Sequence, residues 1–128
     1  TPAVNVGLWP MMIGGLIYRN VLRKKAMEMV LLGERLTADQ ALNMGLITRV
    51  VPPEKLEEEV TQILKSLAAK SPIGMKIGKE AFYAMADMPF EEAVDYLSGK
   101  IAEVAATEDA REGITAFIEK RKPVFRGK

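Results

Sequence analysis

The C-terminal stretch of the chain decides which fold we expect, and its sequence is Thr107-Glu-Asp-Ala-Arg-Glu-Gly-Ile-Thr-Ala-Phe-Ile-Glu-Lys-Arg-Lys-Pro-Val-Phe-Arg-Gly-Lys128. Thr107 is a good N-cap residue, and Glu108 and Asp109 place negative charge in the first turn of a helix. Three large apolar residues recur at the i, i+3 and i+4 spacing of a buried helical face: Ile114, Phe117 and Ile118. Pro123 prevents the helix from continuing. The stretch therefore predicts a final amphipathic helix followed by a basic segment.

This basic segment allows two interpretations. From Glu119 to Lys128 there are five cationic side chains and one anionic side chain, which gives a local net charge of +4. Such a cluster could hold an anionic ligand. Helices often end in basic residues because cations interact favourably with a helix C-terminus, and on the residues alone this is the preferred interpretation of 120–122.

Length and composition describe an ordinary soluble protein. A chain of 128 residues can form one domain and bury roughly two thirds of its unfolded surface. Its net charge of +1 gives no reason to expect binding to nucleic acid or to a membrane surface, and no apolar run approaches the roughly 20 residues of a membrane helix. Since there is no Cys and no His, thiolate and Ser-His-Asp chemistry are excluded, and no metal site is predicted.

Hydrophobic periodicity predicts helices along most of the chain. We expect them at about 13–21, 24–32, 38–44, 53–70 and 72–86, with another beginning near Phe90. Thr37 and Gln40 fit a capping box at the third helix, and Gly45 suits its C-terminal end. The one convincing strand candidate is Leu46–Val51, which is β-branched and ends at a Pro pair. The expected fold is therefore mainly α-helical, with at most one or two short strands.

Residues with catalytic potential are few. Most carboxylates lie on polar helix faces or at helix starts, and the Ser and Thr residues at helix starts have no neighbouring base. Gly14-Gly15 could bring a phosphate close to the backbone, but no Lys-Ser/Thr follows, and a tight turn or close packing explains the pair as well. From the residues alone, the chain is a helical domain without an assignable activity.

A series of motifs changes this picture. Five segments occur in a fixed order: Thr1–Gly7, Arg23–Gly33, Leu36–Pro52, Ala69–Pro72 and Ala106–Pro123. Together they resemble the C-terminal half of the enoyl-CoA hydratase/isomerase (crotonase) superfamily. Each motif alone is modest, but the series covers essentially the whole chain.

The resemblance implies the C-terminal helical portion of a crotonase-type α/β spiral fold. Residues 1–33 would be the end of the spiral core and 34–128 the helical trimerisation region, the two forming one structural unit overall. The chain opens on Thr1-Pro2 without an initiator Met or a signal sequence, as though taken from a longer protein. The family's oxyanion hole, which stabilises a thioester enolate, and one of its two hydratase glutamates would precede Thr1, so this chain alone is expected to be inactive.

Two departures from the family pattern concern the chemistry. The second hydratase glutamate normally follows the proline of the segment that here reads Thr1-Pro2-Ala3, so Ala3 occupies its position. Alanine cannot donate or abstract a proton. The usual glycine-rich segment has become Pro10–Arg19, and both departures resemble a divergent branch of hydratase-domain proteins. They argue against hydration by the two-glutamate mechanism.

The resemblance also suggests binding residues. It places Lys120 near the nucleotide phosphate of coenzyme A, often across a subunit boundary, and puts Ile101 where well-studied hydratases have an aromatic residue beside the adenine. Trp9, Met11 and Met12, with Ala3, would neighbour the acyl pocket or simply belong to the core. Coenzyme A would enter as part of the substrate thioester, and no separate cofactor is predicted.

Two functional hypotheses follow from the resemblance. In the first, the chain is part of an enzyme that hydrates enoyl-CoA or performs related enolate chemistry. In the second, favoured by Ala3, it is a non-catalytic protein that binds acyl-CoA or forms oligomers. A homo-oligomer, either a trimer or a dimer of trimers, is expected in both cases. The location would be cytoplasmic in a bacterium and mitochondrial in a eukaryote.

Overall fold

The computed structural model describes all residues, 1–128, and it contains seven α-helices and two short 3-10 helices but no β-strand. The helices are α1 (Met11–Asn20), α2 (Arg23–Leu32), α3 (Ala38–Met44), α4 (Leu56–Ala68), α5 (Pro72–Met85), α6 (Phe90–Ala105) and α7 (Glu108–Ile118). The 3-10 helices are Pro2–Val6 and Pro53–Lys55. The predicted mainly α-helical fold is confirmed. The chain divides into two compact units, Thr1–Leu56 and Glu57–Lys128, which are described separately.

The local signals at the third helix are confirmed by hydrogen bonds. The Gln40 N–H donates to Thr37 Oγ1 at 3.2 Å, and the Thr37 N–H donates to Gln40 Oε1 at 2.8 Å. These two bonds form the predicted capping box. Gly45 ends the helix at a φ of 79°, a left-handed conformation that favours glycine.

The predicted strand at Leu46–Val51 is wrong. This segment contains bends and extended residues, and no other segment pairs with it. A β-strand exists only through hydrogen bonds to a neighbouring strand, so β-branched composition alone cannot create one. The signal in the sequence therefore describes an extended connection between α3 and α4.

The first unit has a small core between α1 and α2. Five residues are buried there: Ile17, Val21, Ala26, Met29 and Val30. Half-buried Val4, Leu36 and Met44 pack against them. Ala26, Met29 and Val30 recur at helical spacing, so together they form the buried face of α2.

The second unit is organised by α5, α6 and α7, which pack together. Its buried positions are mostly small, with Ala81, Ala93 and Ala116 among them. The prediction that Ile114, Phe117 and Ile118 form a buried face is wrong, since Phe117 is 84% exposed and the other two are also exposed. Fully buried Ala116 faces inward instead, because a small side chain allows closer helix packing. Helix α7 also ends at Ile118, so the residues at 120–122 follow it and are not part of its last turn.

Large apolar side chains are exposed along several helices of both units. They include Met11, Leu16, Leu64, Phe82, Phe90, Ile101 and Phe117. These faces find no partner within their own unit. None of the helices combines the length and hydropathy that crossing a membrane would require.

Candidate functional site

Ala3 lies in the 3-10 helix Pro2–Val6 and is half-buried. The two residues after Ala3, Val4 and Asn5, contact Gly33 at the C-terminal end of α2. A Cβ at Gly33 would lie 2.7 Å from Val4 Cγ2, and the Asn5 side-chain amide donates to the Gly33 carbonyl oxygen at 3.3 Å. The segment that carries Ala3 is therefore held in place, but its side chain offers only a methyl group. Position 3 can shape a pocket and cannot exchange a proton.

Two of the proposed acyl-pocket residues line one cavity. Trp9 and Met11 border a space of about 250 Å³ in the first unit, together with Gly14, Gly15, Tyr18, Ala26, Met27 and Val30. The glycine pair lies within α1. A Cβ added at Gly15 would meet no atom within 4 Å, so the space beside Gly15 at the cavity wall is open. The Arg23 guanidinium lies over the Tyr18 ring at 5.6 Å from its centroid. Met12 is 89% exposed, and neither Met12 nor Ala3 lines this cavity.

In the second unit, Lys120 adopts an unusual backbone conformation just after α7. The Lys120 N–H donates to the Phe117 carbonyl at 3.3 Å, and the Arg121 N–H donates to the Ala116 carbonyl at 3.0 Å. These bonds form a Schellman motif, whose left-handed position is normally glycine. Lys120 holds this position at a φ of 53°, the only residue other than glycine with positive φ. A lysine in this conformation costs backbone energy, which is a feature often found at functional positions.

Charge pairing separates Lys120 from its neighbour. The Arg121 guanidinium donates to both carboxylate oxygens of Glu112, at 2.6 and 2.9 Å, and to Glu119 at 2.6 Å. The hydrogen bond from Arg121 and then that from the Val124 N–H lower the pKa of Glu112 to about 2, and the same carboxylates raise the pKa of Arg121. The Lys120 ammonium forms no ion pair. Within this part of the basic segment, Lys120 carries an uncompensated charge that an anion could use.

Asp109 has a role that the sequence did not reveal. Its carboxylate is only 1% exposed and accepts hydrogen bonds from the Arg126 N–H at 2.7 Å, the Gly127 N–H at 3.0 Å and the Ser71 hydroxyl at 2.8 Å. Burial is the largest influence on its pKa and raises it, but the hydrogen bonds together outweigh burial and lower the pKa of Asp109. Asp109 therefore connects the C-terminal tail (Pro123–Lys128) to α7 through hydrogen bonds. In the sequence, the position of Asp109 in the first turn of a helix indicated only a favourable interaction with the helix dipole. No local pattern indicated its hydrogen bonds with Arg126 and Gly127, which lie 17 and 18 positions further along the chain.

The remaining predicted binding residue is Ile101. It lies on α6 and is 66% exposed, so its side chain is accessible to a ligand or to another protein surface. No group of three or more carboxylates is placed to hold a metal ion. The predicted residues therefore fall into two sets: Ala3, Trp9, Met11 and Met12 in the first unit, and Ile101 and Lys120 in the second.

Comparison with known sequences identifies close similarity to one family. The sequence profile of the enoyl-CoA hydratase/isomerase family matches residues 1–128. A relative from Rattus norvegicus, mitochondrial enoyl-CoA hydratase domain-containing protein 3, is 42% identical over 125 residues, which cover 98% of this chain and 42% of the relative. Carnitinyl-CoA dehydratase from Salmonella typhi is 36% identical over 105 residues, covering 79% of this chain and 40% of the relative.

Solved structures show the same relationship. An enoyl-CoA hydratase from Mycobacterium smegmatis superimposes with a TM-score of 0.94 at 35% identity, over 98% of this chain and 49% of that protein. Human enoyl coenzyme A hydratase domain-containing protein 3 gives a TM-score of 0.93 at 40% identity with the same coverage. The chain spans about half the length of these structures and about two fifths of the curated relatives. The family expected from the motif series is confirmed, and with its profile matching every residue, this chain belongs to the enoyl-CoA hydratase/isomerase family.

Proposed function

We propose that this chain is the C-terminal part of a longer protein that binds acyl-CoA thioesters. The observation that carries the proposal is the family match over all 128 residues, combined with coverage of about two fifths of the curated relatives. The oxyanion hole and the other acid/base residue would then be supplied by the preceding part of that protein. Binding, and not proton transfer, is the contribution of the residues described here.

For the second unit, we propose a contact with the coenzyme A part of a ligand, often across a subunit boundary as the family resemblance implies. Lys120 offers an unpaired ammonium group in a rigid Schellman turn, which suits a phosphate contact. Ile101 presents an exposed aliphatic side chain, which can pack beside an adenine but cannot stack on it as an aromatic ring would. Affinity for the nucleotide would therefore depend more on charge at Lys120 than on stacking.

For the first unit, we propose independently a contact with the acyl part of a ligand. The cavity beside Trp9 and Met11 has a mainly apolar wall, which suits a hydrocarbon chain. Ala3 would stand near the reacting carbons without an acid or base. Hydration by two carboxylates would then fail in the longer protein as well, while an enolate reaction that does not use position 3 would be unaffected.

A second candidate function is a non-catalytic acyl-CoA-binding or oligomerising protein. Two observations favour it: the methyl side chain at Ala3, and the exposed apolar faces that include Phe90 and Phe117. Exposed apolar surface of this extent favours association with other subunits. We expect a homo-oligomer in either case, with a trimer or a dimer of trimers as the family resemblance implies.

Calorimetric titration of the full-length protein with crotonyl-CoA tests the proposed binding. The Lys120→Ala variant should bind more weakly by roughly tenfold, because one charge-assisted contact to phosphate is lost. Lys65→Ala is a matched control, since Lys65 is an exposed lysine of α4 and is not part of the turn at Lys120. An unchanged affinity in Lys120→Ala would remove Lys120 from the site. No binding by the parent protein would reject acyl-CoA as its ligand.

Sedimentation tests the expected association separately. The 128-residue chain should sediment as a self-associating species, and replacing Phe117 by Ser should reduce association because Phe117 is the most exposed large residue of α7. A parent chain that remains a monodisperse monomer would contradict this part of the proposal.

A further inference from the structure

A cationic cavity lies beside the C-terminal tail, and Lys120 is not among its lining residues. It has a volume of about 330 Å³, lies between the end of α4 and residues 122–125, and is open to solvent. Its lining residues are Ala68, Ala69, Lys70, Lys122, Pro123 and Phe125. Two lysines therefore share one concave surface with an aromatic ring.

The acidic residues of α7 line a different cavity from Lys70 and Lys122. Lys122, Pro123 and Phe125 line this cavity, whereas Val124 and Arg126 line another one together with Glu108, Asp109 and Glu112 of α7. Successive side chains of an extended segment point to opposite sides, which explains the alternation from Pro123 to Arg126. The cavity that contains Lys70 and Lys122 is therefore lined by no acidic residue, whereas Arg126 shares the other cavity with the acidic residues of α7.

Neither lysine has a partner of opposite charge. The ammonium groups of Lys70 and Lys122 form no ion pair in the structure. Lys70 follows the C-terminus of α4, where a cation is favoured by the helix dipole, but Lys122 does not belong to any helix. Two like charges around one cavity repel each other, and an anion between them would relieve this repulsion.

The wall formed by the tail is fixed before any ligand binds. The Asp109 carboxylate accepts hydrogen bonds from the N–H groups of Arg126 and Gly127, and the Glu112 carboxylate accepts one from the Val124 N–H at 2.8 Å. The Phe125 ring packs on Gly113, where an added Cβ would lie 3.5 Å from its Cε1 atom. A ligand that enters this cavity would therefore meet a preformed backbone wall, and binding would mainly order the side chains of Lys70 and Lys122.

We propose that this cavity binds a phosphorylated small molecule, with its phosphate between Lys70 and Lys122 and a flat apolar part against Phe125. Lysine ammonium groups bind phosphate as point charges, and a half-buried aromatic ring offers a surface for packing a base or a similar ring. The volume lies at the lower end of that found for small-molecule sites. The site does not depend on Lys120 or on the proposed acyl-CoA binding.

Calorimetric titration of the protein with ADP and, separately, with inorganic pyrophosphate tests this proposal. We expect both probes to bind the parent, and the double variant Lys70→Gln/Lys122→Gln to bind both at least roughly tenfold more weakly. Lys65→Gln is the control, because it removes an equal charge from α4 outside the cavity. Circular dichroism should show no change in the double variant, since both side chains are exposed and unpaired.

Two further variants locate the ligand. Phe125→Leu should weaken ADP binding and leave pyrophosphate binding unchanged, because only ADP carries a ring. Because ADP could also bind at Lys120, the titrations are repeated in a Lys120→Ala background, where Lys70→Gln/Lys122→Gln should still weaken pyrophosphate binding roughly tenfold. The proposal is overturned if the parent binds neither probe, if the double variant binds like Lys65→Gln, or if the double variant causes no further loss of pyrophosphate binding in the Lys120→Ala background.

Discussion

Replacing Gly33 by Ala tests how the segment carrying Ala3 is held against α2. Gly33 has a φ of 60°, and an added Cβ would lie 2.7 Å from Val4 Cγ2 and 3.1 Å from Asn5 Oδ1. The left-handed conformation alone should cost about 1 kcal/mol for alanine. The overlap with Val4 and Asn5 should add about 1–3 kcal/mol, the usual cost of overpacking, so we expect a total loss of about 2–4 kcal/mol.

Gly45→Ala is a matched control for this prediction. Gly45 also has positive φ, at 79°, but a Cβ there would meet no atom within 4 Å. It should therefore lose only about 1 kcal/mol, from the backbone conformation. Both glycines lie in the Thr1–Leu56 unit, so urea denaturation of the two variants reports on the same structure. Equal losses in free energy of unfolding would refute the close contact between Gly33 and the Ala3 segment.

Three other predictions concern the described contacts. Lys120→Gly should raise the free energy of unfolding by about 1 kcal/mol, because glycine suits the left-handed position. The same variant should bind coenzyme A more weakly in a titration. A lower free energy of unfolding would contradict the Schellman geometry. Thr37→Ala should lower the free energy of unfolding by about 1 kcal/mol through loss of the N-cap, and no change in urea denaturation would refute this role. The lowered pKa of Glu112 stabilises the fold above its usual value of 4.5, and this stability should disappear as pH falls towards about 2. Denaturation of Glu112→Gln across that range should show a weaker dependence on pH, whereas a slope equal to that of the parent would exclude the Arg121 pairing as its cause.

The features that the sequence predicted correctly are those set by neighbouring residues. The capping box at Thr37, the left-handed Gly45 and the bounds of α3 depend on interactions within one helical turn. The buried face of α2 also follows from its own periodicity. Such features can be predicted without knowledge of the tertiary contacts of the chain.

The features that were predicted wrongly depend on another part of the structure that would pair with them or cover them. Leu46–Val51 has strand composition but no neighbouring strand, and the large residues of α7 have apolar spacing but nothing in their unit to cover them. Periodicity identifies an apolar face and does not specify what will bury it. The hydrogen bonds from the tail to Asp109 connect residues 17 and 18 positions apart, so no short-range pattern could indicate them.

Among the candidate site residues, geometry separates those that share a surface from those that do not. Trp9 and Met11 line one cavity, while Met12 is exposed outside it. The sequence suggested a basic segment as one cluster, but ion pairing assigns Arg121 to Glu112 and leaves Lys120 unpaired. The binding roles of Lys120 and Ile101 remain predictions that the titrations above can test.

Hydration of crotonyl-CoA by the full-length protein tests the central claim most directly, because the claim is that position 3 no longer supplies an acid or base. The parent, with Ala3, should show no hydration above background although it binds the thioester. Ala3→Glu should gain activity once a carboxylate stands at that position, and Ala3→Gln should not, since an amide cannot transfer the proton. Hydration by the parent at the rate of Ala3→Glu would contradict the account.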